Sequence, residues 1–280
     1  MATTETVVSA SCVTFNSDVN LLQATIQSLA DTYRTAKRQH NLKYLRLDLI
    51  DNGPDQTNLE VLRKIQYQYQ GSFDQINIFS GHGNLGYGGG HNLSINAVNS
   101  TFHLIINPDV TLNPDNLGLA IEYMEAHPDV VLLAPNATDE DNNMLFLAKR
   151  TPQLHVLLAR ALKLRFLERV FEKDMKRYEY RDVMPTNAPY EIELASGCYM
   201  FCRSQHLKKI GGFDSTYFMY FEDFDLSIRL RKVGKIIFLP DLKILHYGGN
   251  ASRKGFRHLV YFSTSMWKFF LRHRFKLKNY

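Results

Sequence analysis

The first half of the chain alternates short apolar runs with longer segments in which apolar residues recur every three or four positions. Val7–Phe15 is a run of β-branched and small residues and reads as a buried strand. Leu45–Ile50, Ile76–Phe79, Phe102–Ile106 and Val130–Ala134 read the same way. Between them, Asn20–Gln39 carries Leu21, Leu22, Ile26 and Leu29 on one helix face, and Asn58–Gln70 and Leu117–Ala126 also read as helices. The stretch Gly81–Gly90 reads as a glycine-rich loop, with a helix opening at His91 and running to Asn99. Strands alternating with helices over short connections predict right-handed βαβ units on a mostly parallel sheet. Ligands bind such sheets beyond the carboxyl ends of the strands. Three polar clusters fall at those ends, Asp51-Asn52, Gly81–Asn92 and Asn107-Pro108-Asp109, and they point to one site assembled from separate loops.

The second half reads differently. Leu154–Phe171 sets Leu154, Leu157, Leu158, Ala161, Leu162 and Phe166 among Arg160, Lys163, Arg165 and Arg169, which predicts a basic amphipathic helix. Ile192–Cys202 reads as a strand interrupted at Ser196-Gly197, Phe224–Val233 as a helix opened by acids, and Lys235–Leu239 and Leu242–Leu245 as short strands. His246-Tyr247-Gly248-Gly249 reads as a turn, and from Ser252 the chain is basic and aromatic.

Of 280 residues, 45% are apolar and 22% charged, which excludes a disordered tail protein, a collagen-like fibre and a small stapled scaffold. The net charge of +5 is too small to argue for nucleic acid. Its distribution matters more. Residues 1–140 hold 7 Lys and Arg against 15 Asp and Glu, net −8, and residues 141–280 hold 26 against 13, net +13. An acidic front and a basic back imply surfaces with different partners, one of them anionic, and the acidic front would repel a nucleic acid. Cys12, Cys198 and Cys202 are odd in number and lack C-x-x-C spacing, which favours a reducing compartment. Polar residues Met1–Thr6 run into the first strand, so no signal peptide is expected, and no run approaches the ~18 apolar residues of a membrane span. The expected location is cytoplasmic, in solution or on the inner face of the membrane.

Gly81-His82-Gly83-Asn84-Leu85-Gly86 matches the dinucleotide fingerprint G-x-G-x-x-G, with Asp109 about 20 positions further on. Yet it follows the third predicted strand rather than the first, and glycines continue to Gly90. The wider reading is a loop whose bare backbone admits phosphate or sugar groups; the plain alternative is a structural turn. Asp109, after an apolar strand, is either a turn residue or a carboxylate that holds Mg2+ or Mn2+ against a diphosphate. Glu222 and Asp223 precede an amphipathic helix amid Tyr217, Phe218, Tyr220 and Phe221. They read as acids placed by the helix dipole or as a general base in a dry pocket; the dipole lowers a carboxyl pKa and the pocket raises it. His246 is a structural histidine unless it meets Asp109, where it would complete a mixed nitrogen and oxygen metal site. Asp51 is a turn residue or a nucleoside contact.

In this order, the motifs resemble the family 2 glycosyltransferases of GT-A fold, in particular bacterial rhamnosyltransferase-like members. The likeness rests on Thr14-Phe15-Asn16, Asp51-Asn52-Gly53, Gly83–Asn92, Asn107-Pro108-Asp109-Val110, Ser196-Gly197, Gly211–Asp214, Glu222-Asp223 with Asp225-Leu226 and Arg229, and His246–Gly249. It covers roughly residues 7–250. The resemblance implies a mostly parallel central sheet in a Rossmann-like α/β/α sandwich. One domain would occupy 1–250, with a nucleotide-binding half to about 135 and an acceptor and catalytic half from about 136 to 250, followed by a basic helical segment, 251–280. The implied reaction is inverting transfer of a sugar from a nucleotide diphosphate, dTDP-rhamnose or a UDP-sugar, to a hydroxyl of a glycan or lipid-linked acceptor in cell-surface polysaccharide synthesis. Asp223 would be the base with Glu222 beside it, and Asp109 and His246 would hold Mg2+ or Mn2+. Thr14, Asn16, Asp51, Asn84, Gly86, Tyr87, Gly88, Asn92, Asn107, Ser196 and Gly197 would face the nucleotide sugar. Asn107 stands where the D-x-D pattern has its first acid. An NAD-dependent oxidoreductase and a non-catalytic sugar-nucleotide or glycan-binding module are the competing readings.

The tail interleaves Arg253, Lys254, Arg257, Lys268, Arg272, Arg274, Lys276 and Lys278 with Phe256, Tyr261, Phe262, Trp267, Phe269 and Phe270. It reads either as a helix packed on the core by its aromatic face or as an interfacial helix drawn to anionic lipid.

Overall fold

The computed structural model describes residues 6–40, 42–157, 165–248 and 256–273. Its centre is a ten-stranded sheet in which β3 (Gln75–Phe79), β2 (Leu42–Asp51), β1 (Thr6–Thr14) and β4 (Phe102–Ile106) lie parallel. β1 and β4 are buried along almost their whole length, the pattern of strands covered on both faces. The sheet continues through β9 (Tyr199–Arg203), β6 (Val130–Thr138), β10 (Lys235–His246) and β5 (Val110–Leu112), with β7 (Met144–Leu145) on β6 and β8 (Tyr190–Glu191) on β10. β9 is antiparallel to both β4 and β6, so the parallel order of the first half gives way to a mixed one. The reversal arises because β9 enters from a long excursion after β7 rather than from a βαβ crossover.

Side chains alternate across the strands. Phe102, Leu104 and Ile106 of β4 join a core with α1 (Val19–Gln39), α2 (Gln56–Tyr69) and α4 (Asn116–Ala126), while Ile105 faces α3 (Gly86–Ala97), α7 (Ser204–Lys209) and α8 (Glu222–Leu230). Asp18 caps α1 by accepting from the Asn20 and Leu21 N–H groups. A third cluster joins Tyr178 of α6 (Glu172–Tyr178), Tyr217 and Phe221 to Phe269 and Phe270 of α9 (Phe256–Arg272). The sandwich expected from the sequence is therefore present, with α9 packed against it.

Several boundaries move. α3 opens at Gly86, not His91, because its glycines let the helix lie close to its neighbours: a Cβ at Gly88 would fall 2.7 Å from Phe213 and one at Gly90 2.8 Å from Val13. Residues 235–246 form one strand with a register shift between Leu239 and Lys243, next to Pro240, where the sequence suggested two. The expected strand Ile192–Cys202 is instead β8, an irregular stretch through Ser196-Gly197, and β9. Much of the basic helix expected at Leu154–Phe171 lies outside the described residues; Arg165–Val170 is α5. Gly249 of the expected turn also lies outside them.

Candidate active site

The carboxyl ends of β1 and β2 are tied by polar side chains. The Thr14 hydroxyl donates to the Ile50 carbonyl at 3.0 Å and accepts from Asn58 Nδ2 at 3.0 Å. Asn58 also donates to Asp51 Oδ1, to which the Gly53 N–H donates at 2.9 Å. Thr14 is fully buried and its hydroxyl is taken up in this brace, so it positions the loop rather than facing a ligand. Asn16 lies exposed past the end of β1 with φ 49°. Asn58, which sequence reasoning missed, sits in the first turn of α2 and points back at Asp51. Its signal was the short distance in sequence from the Asp51-Asn52-Gly53 turn to a helix start.

The Asn52 amide donates to the Gly86 carbonyl at 2.8 Å and joins this brace to α3. Asn84 Oδ1 accepts from the Gly86 N–H at 2.9 Å, and Gly86 holds φ 74°. The Tyr87 N–H donates to the Phe218 carbonyl at 3.1 Å, and the Tyr87 hydroxyl donates to the Gly197 carbonyl. Burial pushes the Tyr87 hydroxyl well above its usual range, which keeps it a donor. Asn92 exchanges two hydrogen bonds of 2.8 Å with the Phe213 backbone. Gly88 and Asn92 thus serve the packing of the 211–218 segment, and their side-chain positions are closed to a ligand.

Asp109 follows β4, and His246 ends β10. Antiparallel pairing sets His246 opposite Val110, the residue after Asp109, and leaves His246 Nε2 3.5 Å from Asp109 Oδ1. The Tyr247 N–H donates to the Asp109 carbonyl at 3.0 Å. Asp109 Oδ1, His246 Nδ1 and Asn107 Oδ1 are buried without a hydrogen-bond partner. Buried polar atoms are normally satisfied. An unpartnered carboxylate oxygen beside an imidazole, with an unpartnered amide oxygen two residues earlier in the chain, suits a divalent cation. No third His, Cys, Asp or Glu joins them among the described residues, so a cation there would need further ligands from outside these side chains. A Cβ at Gly248 would press on Asp109 Oδ2 and lie 2.9 Å from His246 Nε2. Gly248→Ala is expected to splay the pair and weaken Mn2+ binding at least about tenfold, the scale of a lost supporting contact around a metal. Titration by electron paramagnetic resonance checks this; unchanged Mn2+ affinity would contradict it.

Tyr220 and Phe221, with φ 70° and 66°, turn the chain sharply into α8. Two consecutive non-glycine residues in this region store strain of the kind found at working sites. The turn presents Asp223, whose Oδ2 accepts from the Gly197 N–H at 3.0 Å and Oδ1 from the Phe224 N–H at 2.9 Å. Burial outweighs these N–H donors and pushes the Asp223 carboxyl up to about 6. Glu222 is buried with Oε2 unpartnered; burial and the Asp223 charge push it well above the usual carboxylate range. Of the two, Asp223 ionises first, and its charge holds the proton on Glu222 to higher pH. Two positions beyond Asp223, fully buried Asp225 pairs with Arg229 at 2.6 Å, whose guanidinium also donates to the Ile210 and Gly212 carbonyls.

Residues 196–198 join these parts. The Gly197 N–H meets Asp223, the Gly197 carbonyl meets Tyr87, and the Cys198 carbonyl accepts from the Asn107 N–H at 2.9 Å. Burial, aided by the charges of Asp109 and Asp223, pushes the Cys198 thiol up to about 12. Ser196 Oγ accepts from the Cys198 N–H at 3.5 Å.

The sequence model of glycosyl transferase family 2 matches residues 10–197. The N-acetylglucosaminyl-diphospho-decaprenol L-rhamnosyltransferase of Mycobacterium tuberculosis is 27% identical over 150 residues, 53% of this chain and 48% of that protein. The rhamnosyltransferase WbbL of Escherichia coli K12 is 25% identical over 205 residues, 70% of this chain and 72% of WbbL. The chain thus spans about half the length of the mycobacterial relative. Among solved structures, GalNAc-T7 with UDP, GalNAc and Mn2+ superposes with a TM-score of 0.61 at 12% identity, over 88% of this chain and 44% of that one. The mannosyltransferase PcManGT of Pyrobaculum calidifontis with GDP-Man and Mn2+ gives 0.61 at 12% identity, over 95% and 63%. These likenesses carry the GT-A type of fold. With its family model matched over most of its length, this chain belongs to glycosyl transferase family 2.

Proposed function

We propose that the protein transfers a sugar from a nucleotide diphosphate to an acceptor hydroxyl with inversion. The observation that carries this reading is that residues 196–198 bond both to Asp223 and to Asn107, which lies two residues before Asp109 of the Asp109–His246 pair. Asp51 keeps Oδ2 for the nucleoside, and Asn84, Gly86 and Tyr87 shape the loop beside it. A Mg2+ or Mn2+ ion held by Asp109, His246 and the Asn107 amide oxygen would neutralise charge on the departing diphosphate.

Asp223 accepts the acceptor hydroxyl's proton as that oxygen attacks the anomeric carbon from the face opposite the diphosphate. The bond to the diphosphate oxygen breaks in the same displacement, so no protein nucleophile is needed. The Gly197 and Phe224 N–H groups hold the carboxylate in place. Glu222 beside it, its carboxyl pushed well above the usual range, resists adding a second negative charge. The likeness to two rhamnosyltransferases favours dTDP-rhamnose as donor, with a UDP-sugar second. The acceptor is a glycan or lipid-linked saccharide in cell-surface polysaccharide synthesis, met on the cytoplasmic side of the membrane.

The raised Asp223 pKa fixes the sign of the pH response. Ionised Asp223 is the active form, so kcat/KM is expected to fall about tenfold per unit below about pH 6 and to level off above it. A flat profile through that range would reject Asp223 as the base. The same shift means that the fold binds this proton more tightly than the unfolded chain. The stability it lends is full below the ordinary aspartate range and is lost as pH rises through about 6. A donor panel scored by nucleotide diphosphate release, with and without Mn2+, tests the reading. Release from a dTDP- or UDP-sugar is expected; NADH binding with no response to any nucleotide diphosphate would overturn it in favour of an oxidoreductase.

A further inference from the structure

Helix α9 is apolar on two sides. Its inner side, with Phe269 and Phe270, packs on Tyr217 and Phe221. Along that side Ser265 Oγ donates to the Met219 carbonyl at 2.8 Å and Lys268 Nζ to the Thr216 carbonyl at 2.7 Å. At its end Arg272 pairs with Asp214, and His273 meets Asp225 at 2.9 Å. The helix thereby holds loop 214–221, which leads directly into Glu222 and Asp223.

Its outer side is bare. Leu259, Val260, Trp267 and Leu271 are 53%, 43%, 65% and 55% exposed, and Val260, Trp267 and Leu271 follow one another at helical spacing along one side. Single exposed apolar residues are ordinary, but Val260, Trp267 and Leu271 along one side of one helix form an apolar stripe of the kind that marks an interaction site. From Ser252 to Tyr280 the sequence holds eight Lys or Arg and no Asp or Glu. Among the described residues no helix is long and apolar enough to cross a membrane.

We propose that this outer side of α9 seats on an anionic lipid bilayer, with Trp267 at headgroup depth, and that the acceptor reaches loop 214–221 from that surface as a lipid-anchored molecule. An apolar stripe on a segment whose sequence is rich in Lys and Arg matches the two attractions that hold a helix in the plane of an anionic membrane. A second copy of this chain fits less well, since it would bring two cation-rich helices face to face. The acceptor class rests on the transferase reading; the membrane seat does not.

Co-sedimentation of the full chain with vesicles tests the seat. Binding to equimolar phosphatidylcholine and phosphatidylglycerol is expected to exceed binding to phosphatidylcholine alone at least about tenfold, and to weaken in high salt. The double variant Trp267→Ser, Leu271→Ser is expected to lose about tenfold or more of that binding, with its thermal unfolding unchanged because both side chains face solvent. Equal binding to both vesicle types, or full binding by the double variant, would overturn the seat. So would a dimer in sedimentation equilibrium that the double variant dissociates. Titration with dTDP or UDP in parallel separates the two readings. Nucleotide binding without vesicle binding sinks the seat alone, and vesicle binding without nucleotide binding sinks the transferase reading alone.

Discussion

Asp223→Asn is expected to lower turnover by about two to four orders of magnitude, the range over which general-base assistance contributes, while nucleotide diphosphate binding changes little. The substitution keeps the shape of the side chain and one oxygen for the Gly197 or Phe224 N–H, but removes the group that takes the proton. The Asp51 brace and the Asn84–Tyr87 loop make no contact through this carboxylate apart from the shared Gly197, so the donor cradle stays formed. Glu222→Gln is expected to be far milder, because Glu222 holds its proton to higher pH than Asp223 and is not the group that takes one from the acceptor. Steady-state rates at saturating donor, alongside calorimetric titration with nucleotide diphosphate, check both. Retained turnover in Asp223→Asn would reject the base assignment and favour a binding module.

Gly86→Ala is expected to destabilise the fold by about 2–5 kcal/mol. At φ 74° an L-residue loses ~1–2 kcal/mol, and the added methyl would drive into the Phe218 carbonyl, adding ~1–3 kcal/mol of overpacking. The clash falls where the Tyr87 N–H is donated to the same Phe218 carbonyl, so the variant also parts α3 from loop 214–221. At ~2–4 °C per kcal/mol for a chain near this size, the melting temperature should drop by roughly 4–20 °C. Gly81→Ala provides the control: it shares a positive φ, 82°, but a Cβ there meets nothing within 4 Å, so only the backbone term applies. Equal effects at the two positions, measured by thermal unfolding, would contradict the packing account.

The first half was legible because its strands and helices carry strong periods. β4 was placed to the residue, and α1 to within one residue at its start. The glycine run was not legible, since glycine content signals a loop, whereas here the missing side chains let α3 lie against Phe213, Val13 and Phe218. The antiparallel entry of β9 was invisible for a different reason: it depends on a return path through irregular chain, which no local period records.

At the site, residue types were readable and their division of labour was not. Asp109 and His246 are each open in the sequence between a structural and a metal-holding reading, and only the pairing of β5 with β10 brings them together. Thr14, Gly88 and Asn92 were expected to face a ligand, yet the Thr14 hydroxyl and the Asn92 amide are taken up by internal hydrogen bonds, and Gly88 lies against Phe213. The opposing pulls on Asp223 could not be ranked from sequence, because burial is a property of the assembled fold; it prevails over the helix N–H groups. Asn58 escaped notice since an asparagine in the first turn of a helix has no local mark distinguishing a cap from a clasp on a distant carboxylate.

A structure of the protein soaked with Mn2+ and dTDP or UDP tests the common cleft most directly. The account predicts the ion between Asp109 and His246, bridged to the diphosphate, with the Asp223 carboxylate facing the space beyond the terminal phosphate where the sugar would lie. A nucleotide bound with its diphosphate away from Asp109, or with Asp223 on another surface, would contradict it.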